Sequence, residues 1–237
     1  MSVLSKSLHP DDYEELKDAI GVISYGTSIC RGMGHRIYFP HENRMWEYAS
    51  AVHALDEERP KEARETIEVL DVGGGWGALG PSLLLQEQDL RVTELELDPG
   101  IVEGRKKLRE EVTGLHGLRP AVGDITQNLR ADQQFFAVFC ISVMEHLTPE
   151  EQTDAWKRLA RMVSPGGLLF ATVDYGDDPH RPWDNDTERE TKFHPWAIQE
   201  VAKTLREEGL ELEVDTTYHG DQVFNYSFFR IAARRPA

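Results

Sequence analysis

The residues with chemistry to offer in this 237-residue chain stand at the ends of apolar runs. Val69-Leu70-Asp71-Val72-Gly73-Gly74-Gly75-Trp76-Gly77-Ala78-Leu79-Gly80-Pro81 begins as a buried strand and tips it with an acid. Glycines then alternate at Gly73, Gly75 and Gly77, and Pro81 suits the first turn of a following helix. Glycine lets the backbone approach a ligand, and strand, turn and helix N-terminus together make a nucleotide-binding edge. A second run, Val92-Thr93-Glu94-Leu95-Glu96-Leu97-Asp98-Pro99, also ends in acid. Glu96 stands roughly 20 residues past the turn, where a carboxylate accepts from ribose hydroxyls. Two ligands fit these residues. Gly75-Trp76-Gly77-Ala78-Leu79-Gly80 spells the G-x-G-x-x-G fingerprint of an NAD(P)-dependent oxidoreductase. The second reading starts earlier, from Asp71 at the strand end and glycine at every second position after it, and rests on a resemblance given below.

The elements around these residues alternate, which predicts a parallel sheet with right-handed crossovers. Ahead of the turn, the pattern predicts a helix over 10–20, with Asp11 and Asp12 in its first turn and Gly21 as its stop. Residues 21–40 carry Gly21, Gly26, Gly32 and Gly34 and read as a loop, either a lid that closes over the site or a poorly ordered connection. A helix resumes over 42–56 with Met45, Ala49 and Val52 on one face, and Trp46, Glu47 and Tyr48 either pack it on the sheet or line the cofactor site. Residues 135–143 are almost continuously apolar, as in a strand covered on both faces. Thr148-Pro149-Glu150-Glu151 spells a capping box, and Ser164-Pro165-Gly166-Gly167 is the expected end of the helix it opens. Another helix is expected over 195–208 before Gly209. Strands over 210–218 and 224–233 are joined by His219-Gly220-Asp221-Gln222, too short for anything but antiparallel pairing. The expected fold is α/β: a Rossmann-like, seven-stranded, mostly parallel sheet with a C-terminal antiparallel hairpin and helices on both faces.

In five stretches taken in order, the chain from about 67 to 233 resembles the class I S-adenosylmethionine-dependent methyltransferases of small-molecule type. These are Asp71 to Gly77, Leu95 to Pro99, Gly123-Asp124-Ile125, Phe136 to Leu147, and Val163 to Phe170. The resemblance implies S-adenosylmethionine as cofactor. It places Gly73, Gly75 and Gly77 against the methionine and ribose portions, and gives Asp71 the task of orienting the turn or meeting the cofactor's amino group through water. Glu96 would take both ribose hydroxyls, Leu97 would stack on adenine, Asp124 would accept from the adenine amino group, and the Ile125 backbone would address the ring. Ile141 and Ser142 would lie near the methionine portion. A proline- and aromatic-containing quartet often seen in nucleic-acid amino methyltransferases is absent from Ser142-Val143-Met144-Glu145-His146-Leu147. A small-molecule acceptor methylated on O, N or S is therefore expected. A non-catalytic module that binds the same cofactor is the alternative within this fold.

Methyl transfer needs a general base chiefly when the acceptor is a hydroxyl. His146, after the fourth strand, and His194, before Pro195, are the candidates. Asp174, Tyr175 and Trp183 are candidates for acceptor contact, the last within a polar insertion, 175–194, that reads as an acceptor-recognition flap. Residues 1–60 would form a cap and 61–237 the methyltransferase domain. No metal site is expected: Asp174, Asp177 and Asp178 read as a solvated acidic loop, and Cys30, His35 and His41 lack the paired spacing of zinc ligands.

Composition narrows the partners. A net charge of −16 opposes nucleic-acid binding, which requires cationic surface. Two cysteines, Cys30 and Cys140, do not suggest a disulfide framework. The first residues are polar, and no apolar run is long enough to span a bilayer. The expectation is a cytoplasmic monomer or homodimer with no membrane or nucleic-acid partner.

Overall fold

β-branched and apolar residues at alternate and consecutive positions build the strands at the centre of each of two units, residues 1–124 and 125–237. The computed structural model describes residues 10–38, 42–60, 66–87, 89–127, 133–175, 195–215 and 227–237.

In the first unit, β1 (Ile67–Val72), β2 (Leu90–Glu96) and β3 (Leu118–Val122) run parallel. Asp71 stands beside Glu94 in register, and Glu96 beside Val122. The crossovers are α3 (Leu79–Gln86) and α4 (Pro99–Glu111). Asp98 caps α4 by accepting from the Gly100 N–H at 2.7 Å, and Pro99 fills the first helical position, where no N–H is needed. Two helices precede the sheet: α1 (Pro10–Gly32) and α2 (Glu42–Glu58).

α1 corrects the expectation that Gly21 ends a helix and that 21–40 is a loop. The helix continues because Leu16, Ala19, Ile20, Ile23, Thr27 and Cys30 form one buried face at helical spacing. Gly26 serves a close crossing: a Cβ there would lie 2.7 Å from the Cα of Ser82 in α3. The stop comes later, at Gly34, whose φ is +84°.

The second unit contains β4 (Phe135–Ile141), a single 3-10 turn (Met144–His146), α5 (Pro149–Met162), β5 (Val163–Tyr175), α6 (Pro195–Glu207), β6 (Glu211–Asp215) and β7 (Ser227–Arg234). β4 and β5 are parallel, and β7 is antiparallel to both β5 and β6. The capping box forms: the Thr148 N–H donates to Glu151 Oε2 at 2.9 Å and the Glu151 N–H to Thr148 Oγ1 at 3.4 Å. Trp156 and Leu159 on the same helix are buried. Residues 164–167, expected to end α5, are instead the start of β5, with a register shift opposite Phe135. The last carbonyls of α5 find a donor in Arg235, whose Nη2 and Nε reach Ala160 O and Val163 O at 2.8 Å each. Gly209 ends α6 with φ +83°.

The strand order is β3-β2-β1-β4-β5-β7-β6, the expected seven-stranded sheet with helices around it. β7 lies inside the order and β6 at its edge, so the final pair is antiparallel as expected and its second strand pairs twice. The connector 216–226 lies outside the described residues. No described helix is long and apolar enough to cross a membrane. Cys30 and Cys140 are both buried, and neither is in a disulfide.

Candidate cofactor site and catalytic loops

At the end of β1 the chain must turn sharply while keeping its N–H groups available. The Gly73 N–H donates to Leu95 O at 2.8 Å and the Gly77 N–H to Gly74 O at 2.7 Å. Gly75 adopts φ +55°, a region open to glycine at little steric cost. Gly77 is required by space: a Cβ there would fall on the Tyr48 hydroxyl and 2.6 Å from Gly74 O.

Glu96 closes the turn from the neighbouring strand. Its Oε2 accepts from the Gly75 N–H at 3.0 Å, and its Oε1 from the N–H groups of Leu97 at 2.7 Å and Asp98 at 3.3 Å. A carboxylate offers about four acceptor sites, so this one is fixed in direction with capacity to spare. The Gly123 N–H donates to Glu96 O at 3.0 Å, which brings Asp124 to the same end of the sheet. Leu97 and Val122, apolar residues, are 66% and 56% exposed beside that carboxylate. Asp71, Gly73, Gly75, Gly77, Glu96, Leu97 and Asp124 thus gather within the first unit.

Beneath the turn lies a layer of buried charge. Asp71, Glu94 and Arg105 are each no more than 3% exposed. Arg105 Nε donates to Glu94 Oε2 at 2.8 Å, and its Nη2 to the other carboxylate oxygen, a two-pronged pair. Burial, and then the neighbouring Glu94 charge, push the Asp71 carboxyl up to about 7, against the pull of Arg105. Burial likewise holds the Tyr48 phenol well above its usual range. The sequence reading missed this pair. Its signal was present: Glu94 interrupts an apolar strand on its buried phase, and Arg105 does the same between Val102 and Leu108 on α4.

Trp76, to which the sequence assigned no role, has a structural position of its own. A Cβ at Gly104 of α4 would collide with its ring. The Arg36 guanidinium lies 5.1 Å from the Trp76 ring centre and 5.3 Å from that of Tyr38, and the Tyr38 N–H donates to Trp76 O at 3.0 Å. Residues 35–38, expected as part of the glycine-rich loop, therefore run against the glycine turn. Trp46, Glu47 and Tyr48 are buried in α2, the packing alternative for these residues, with the Tyr48 hydroxyl reaching Gly77.

In the second unit, Ile125 and Ile141 are buried, and the Ile125 carbonyl accepts from Arg158 Nη1 at 3.4 Å. β4 ends at Ile141, two residues before its expected end. Ser142 has φ +49°, a left-handed conformation uncommon for a residue with a side chain. Its N–H donates to Thr172 O at 3.0 Å, so the strained bend is anchored on β5. His146 is exposed at the end of the 3-10 turn. Gln152 Nε2 holds that turn through the carbonyls of Met144 at 2.9 Å and Leu147 at 3.0 Å. Asp174 and Tyr175 are the last residues of β5, paired in register with Phe228 and Ser227. Trp183, His194 and most of 175–194 lie outside the described residues, as do Asp177, Asp178 and His41. Among the described residues, no three His, Cys, Asp or Glu side chains converge on a metal position.

Residues 69–167, which run from the acid-tipped strand through α5 into β5, match a family model described as a methyltransferase domain. The chain thus carries a methyltransferase-domain match over these residues within a Rossmann-like methyltransferase fold. Solved structures agree in fold. An S-adenosylmethionine-dependent methyltransferase from Clostridium acetobutylicum is 14% identical, with 81% of this chain and 91% of that one aligned at a TM-score of 0.57. The glycopeptide N-methyltransferase MtfA is 16% identical over 80% and 90% at 0.58, and the [4+2]-cyclase SpnF 16% identical over 95% and 94% at 0.59. No curated protein matches the chain. The domain match runs through the turn, against the dinucleotide spelling of 75–80. Gly80 in fact sits inside α3, where a Cβ would lie 2.6 Å from Glu94 Oε1, so it serves helix–sheet packing.

Proposed function

We propose that this protein is a methyltransferase that moves the methyl group of S-adenosylmethionine to an O, N or S atom of a small-molecule acceptor. The observation that carries the cofactor half is the Glu96 carboxylate, aimed by three backbone N–H groups at the mouth of the glycine turn. The residues present suit that cofactor: an oriented acid for the ribose hydroxyls, exposed Leu97 and Val122 for an adenine face, and Asp124 at the same strand ends for its amino group. Gly73, Gly75 and Gly77 leave the turn open to backbone contact, and Asp71 lies beneath it for the amino-acid end. Ile125, Ile141 and Ser142 complete the binding residues in this reading.

When bound, the cofactor supplies an activated methyl group and its own leaving group. The chain positions the acceptor, excludes water and, for a hydroxyl acceptor, removes a proton. Glu96, Asp71 and the glycine turn would hold the cofactor, which would give its methyl to the acceptor lone pair while the carbon–sulfur electrons stay on sulfur. His146 or His194 takes the hydroxyl proton. Asp174, Tyr175 and Trp183 contact the acceptor, with residues 1–60 as cap and 175–194 as flap. The acidic charge and the lack of a nucleic-acid-type quartet after β4 support a small acceptor in a cytoplasmic monomer or homodimer.

The test is transfer of labelled methyl from S-adenosylmethionine into a fractionated metabolite extract, with titrations of S-adenosylmethionine and NAD alongside. A labelled small product supports the proposal. Cofactor binding with no product from any fraction would point to the non-catalytic module, and NAD uptake in place of S-adenosylmethionine would overturn both.

A further inference from the structure

The buried charge beneath the glycine turn is more than a sheet needs for packing. Asp71 and Glu94 are register partners on adjacent parallel strands, so their carboxylates share one face. Arg105, the buried cation of this layer, gives its Nε and Nη2 to the two Glu94 oxygens, and its Nη1 has no hydrogen-bond partner. The other ionisable groups that face this layer do not balance it. Tyr48 of α2 is a neutral phenol, Arg44 lies 6.0 Å over the Tyr48 ring but pairs with Glu47 at 3.0 Å, and Glu96 adds a further negative charge on β2. Cys30 of α1 is a buried thiol beside Arg105 and Glu94. Two buried carboxylates and one guanidinium leave one negative charge uncompensated, and a buried carboxyl in that position keeps its proton until a cation arrives.

We infer that Arg105 is a positioning residue: held by Glu94, it governs the charge Asp71 can carry beneath the turn, and capture of the cofactor's cationic amino-acid end expels a proton from this layer. This rests on the proposed seating of S-adenosylmethionine at the turn. Asp71 lies under that turn, with its Oδ2 only 2.7 Å from where a Gly74 Cβ would stand, so its charge is felt where the amino-acid end would bind. The raised acidity range of Asp71 is consistent with this arrangement.

Calorimetric titration of the full chain with S-adenosylmethionine, between pH 5.5 and 8.5 and in buffers of different ionisation heat, tests it. Affinity should rise up to tenfold per pH unit on the acid side, with close to one proton released per cofactor near pH 6. Loss of the cofactor's own ammonium proton, at about pH 8 for an α-amino group, then lowers affinity in every variant alike. Glu94→Gln leaves Arg105 to Asp71 alone and should move the acid limb to lower pH. Arg105→Gln leaves two carboxylates together and should move it to higher pH. Methylthioadenosine, which lacks the amino-acid end, should bind with no acid limb.

Opposite displacements support the inference, whereas weaker binding in both variants with an unmoved limb assigns Arg105 a purely structural role and overturns it. Should Arg105→Gln fail to fold, the proton count of the wild type and the limb of Glu94→Gln still decide. S-adenosylmethionine binding with no pH dependence and no proton release refutes the inference while leaving the function intact. No binding at any pH refutes the function itself.

Discussion

Glu96→Ala is the substitution that most directly probes the cofactor site. The carboxylate is held by three backbone donors at 3.0, 2.7 and 3.3 Å and is half-buried, so it is aimed before any ligand arrives. A hydrogen bond to a charged acceptor is worth about 1.5–3 kcal/mol, and two ribose hydroxyls would use it. Solvent reaches this carboxylate, so the pair is better set at about 2–3 kcal/mol, a loss of about 30- to 150-fold in affinity at 1.4 kcal/mol per tenfold. Glu96→Gln keeps one acceptor oxygen and should lose about tenfold or less. Isothermal titration with S-adenosylmethionine measures both. The substitution also frees the Gly75, Leu97 and Asp98 N–H groups, so a thermal melt of each variant separates lost contacts from a collapsed turn. An analogue without the ribose hydroxyls provides the decisive comparison, because it should bind wild type and Glu96→Ala equally. If Glu96→Ala keeps its fold and binds S-adenosylmethionine within twofold of wild type, the ribose assignment is refuted.

Three further outcomes follow from the packing and charge. Gly77→Ala drives a Cβ into the Tyr48 hydroxyl and toward Gly74 O, and overpacking of this kind costs about 1–3 kcal/mol; chemical denaturation should detect it, with partial recovery when Tyr48→Phe is added. Asp71 contributes stability that is present below its unfolded range near pH 4 and lost as pH rises to about 7, because the unfolded chain ionises first. Asp71→Asn should therefore flatten the fall in unfolding free energy between pH 4 and 7, a change on the order of 2–4 kcal/mol, and an unchanged slope would contradict the burial argument. If either histidine is the base, His146→Ala or His194→Ala should slow turnover by about 10²- to 10⁴-fold and leave S-adenosylmethionine affinity unchanged. Full rate in both would remove general-base catalysis by these residues.

Features encoded within a few residues were readable from the chain. The Thr148–Glu151 box, the proline and aspartate that start α4, and Gly209 after α6 each work through local backbone donors or a single φ angle, so nothing distant could override them. The order of acids and glycines also located the turn and Glu96 correctly relative to each other, since adjacent parallel strands put their ends together. What failed depended on partners far along the chain. Gly26 looks like a helix breaker until α3 is seen against it, and the contact that makes it useful is with Ser82. Gly166 and Gly167 look like a helix stop but enter a bulged strand. The pairing of Arg105 with Glu94 required knowing that α4 folds back over β2. Sequence showed two charges on apolar phases, and only the crossover made them one ion pair. Tyr48 was read as packing on the sheet or lining the site, without its contact at Gly77, because α2 and the turn meet only in the tertiary fold.

The crossing of α1 over α3 at Gly26 has a practical consequence for anyone trimming this protein. Ile23, Thr27 and Cys30 are fully enclosed where the helix passes, so a shortened version starting at β1 would open a greasy strip along α3, directly behind the turn that holds Glu96 in place. Clumping or loss of cofactor in such a truncation would report that missing support, and would say nothing of whether the leading helices take part in catalysis.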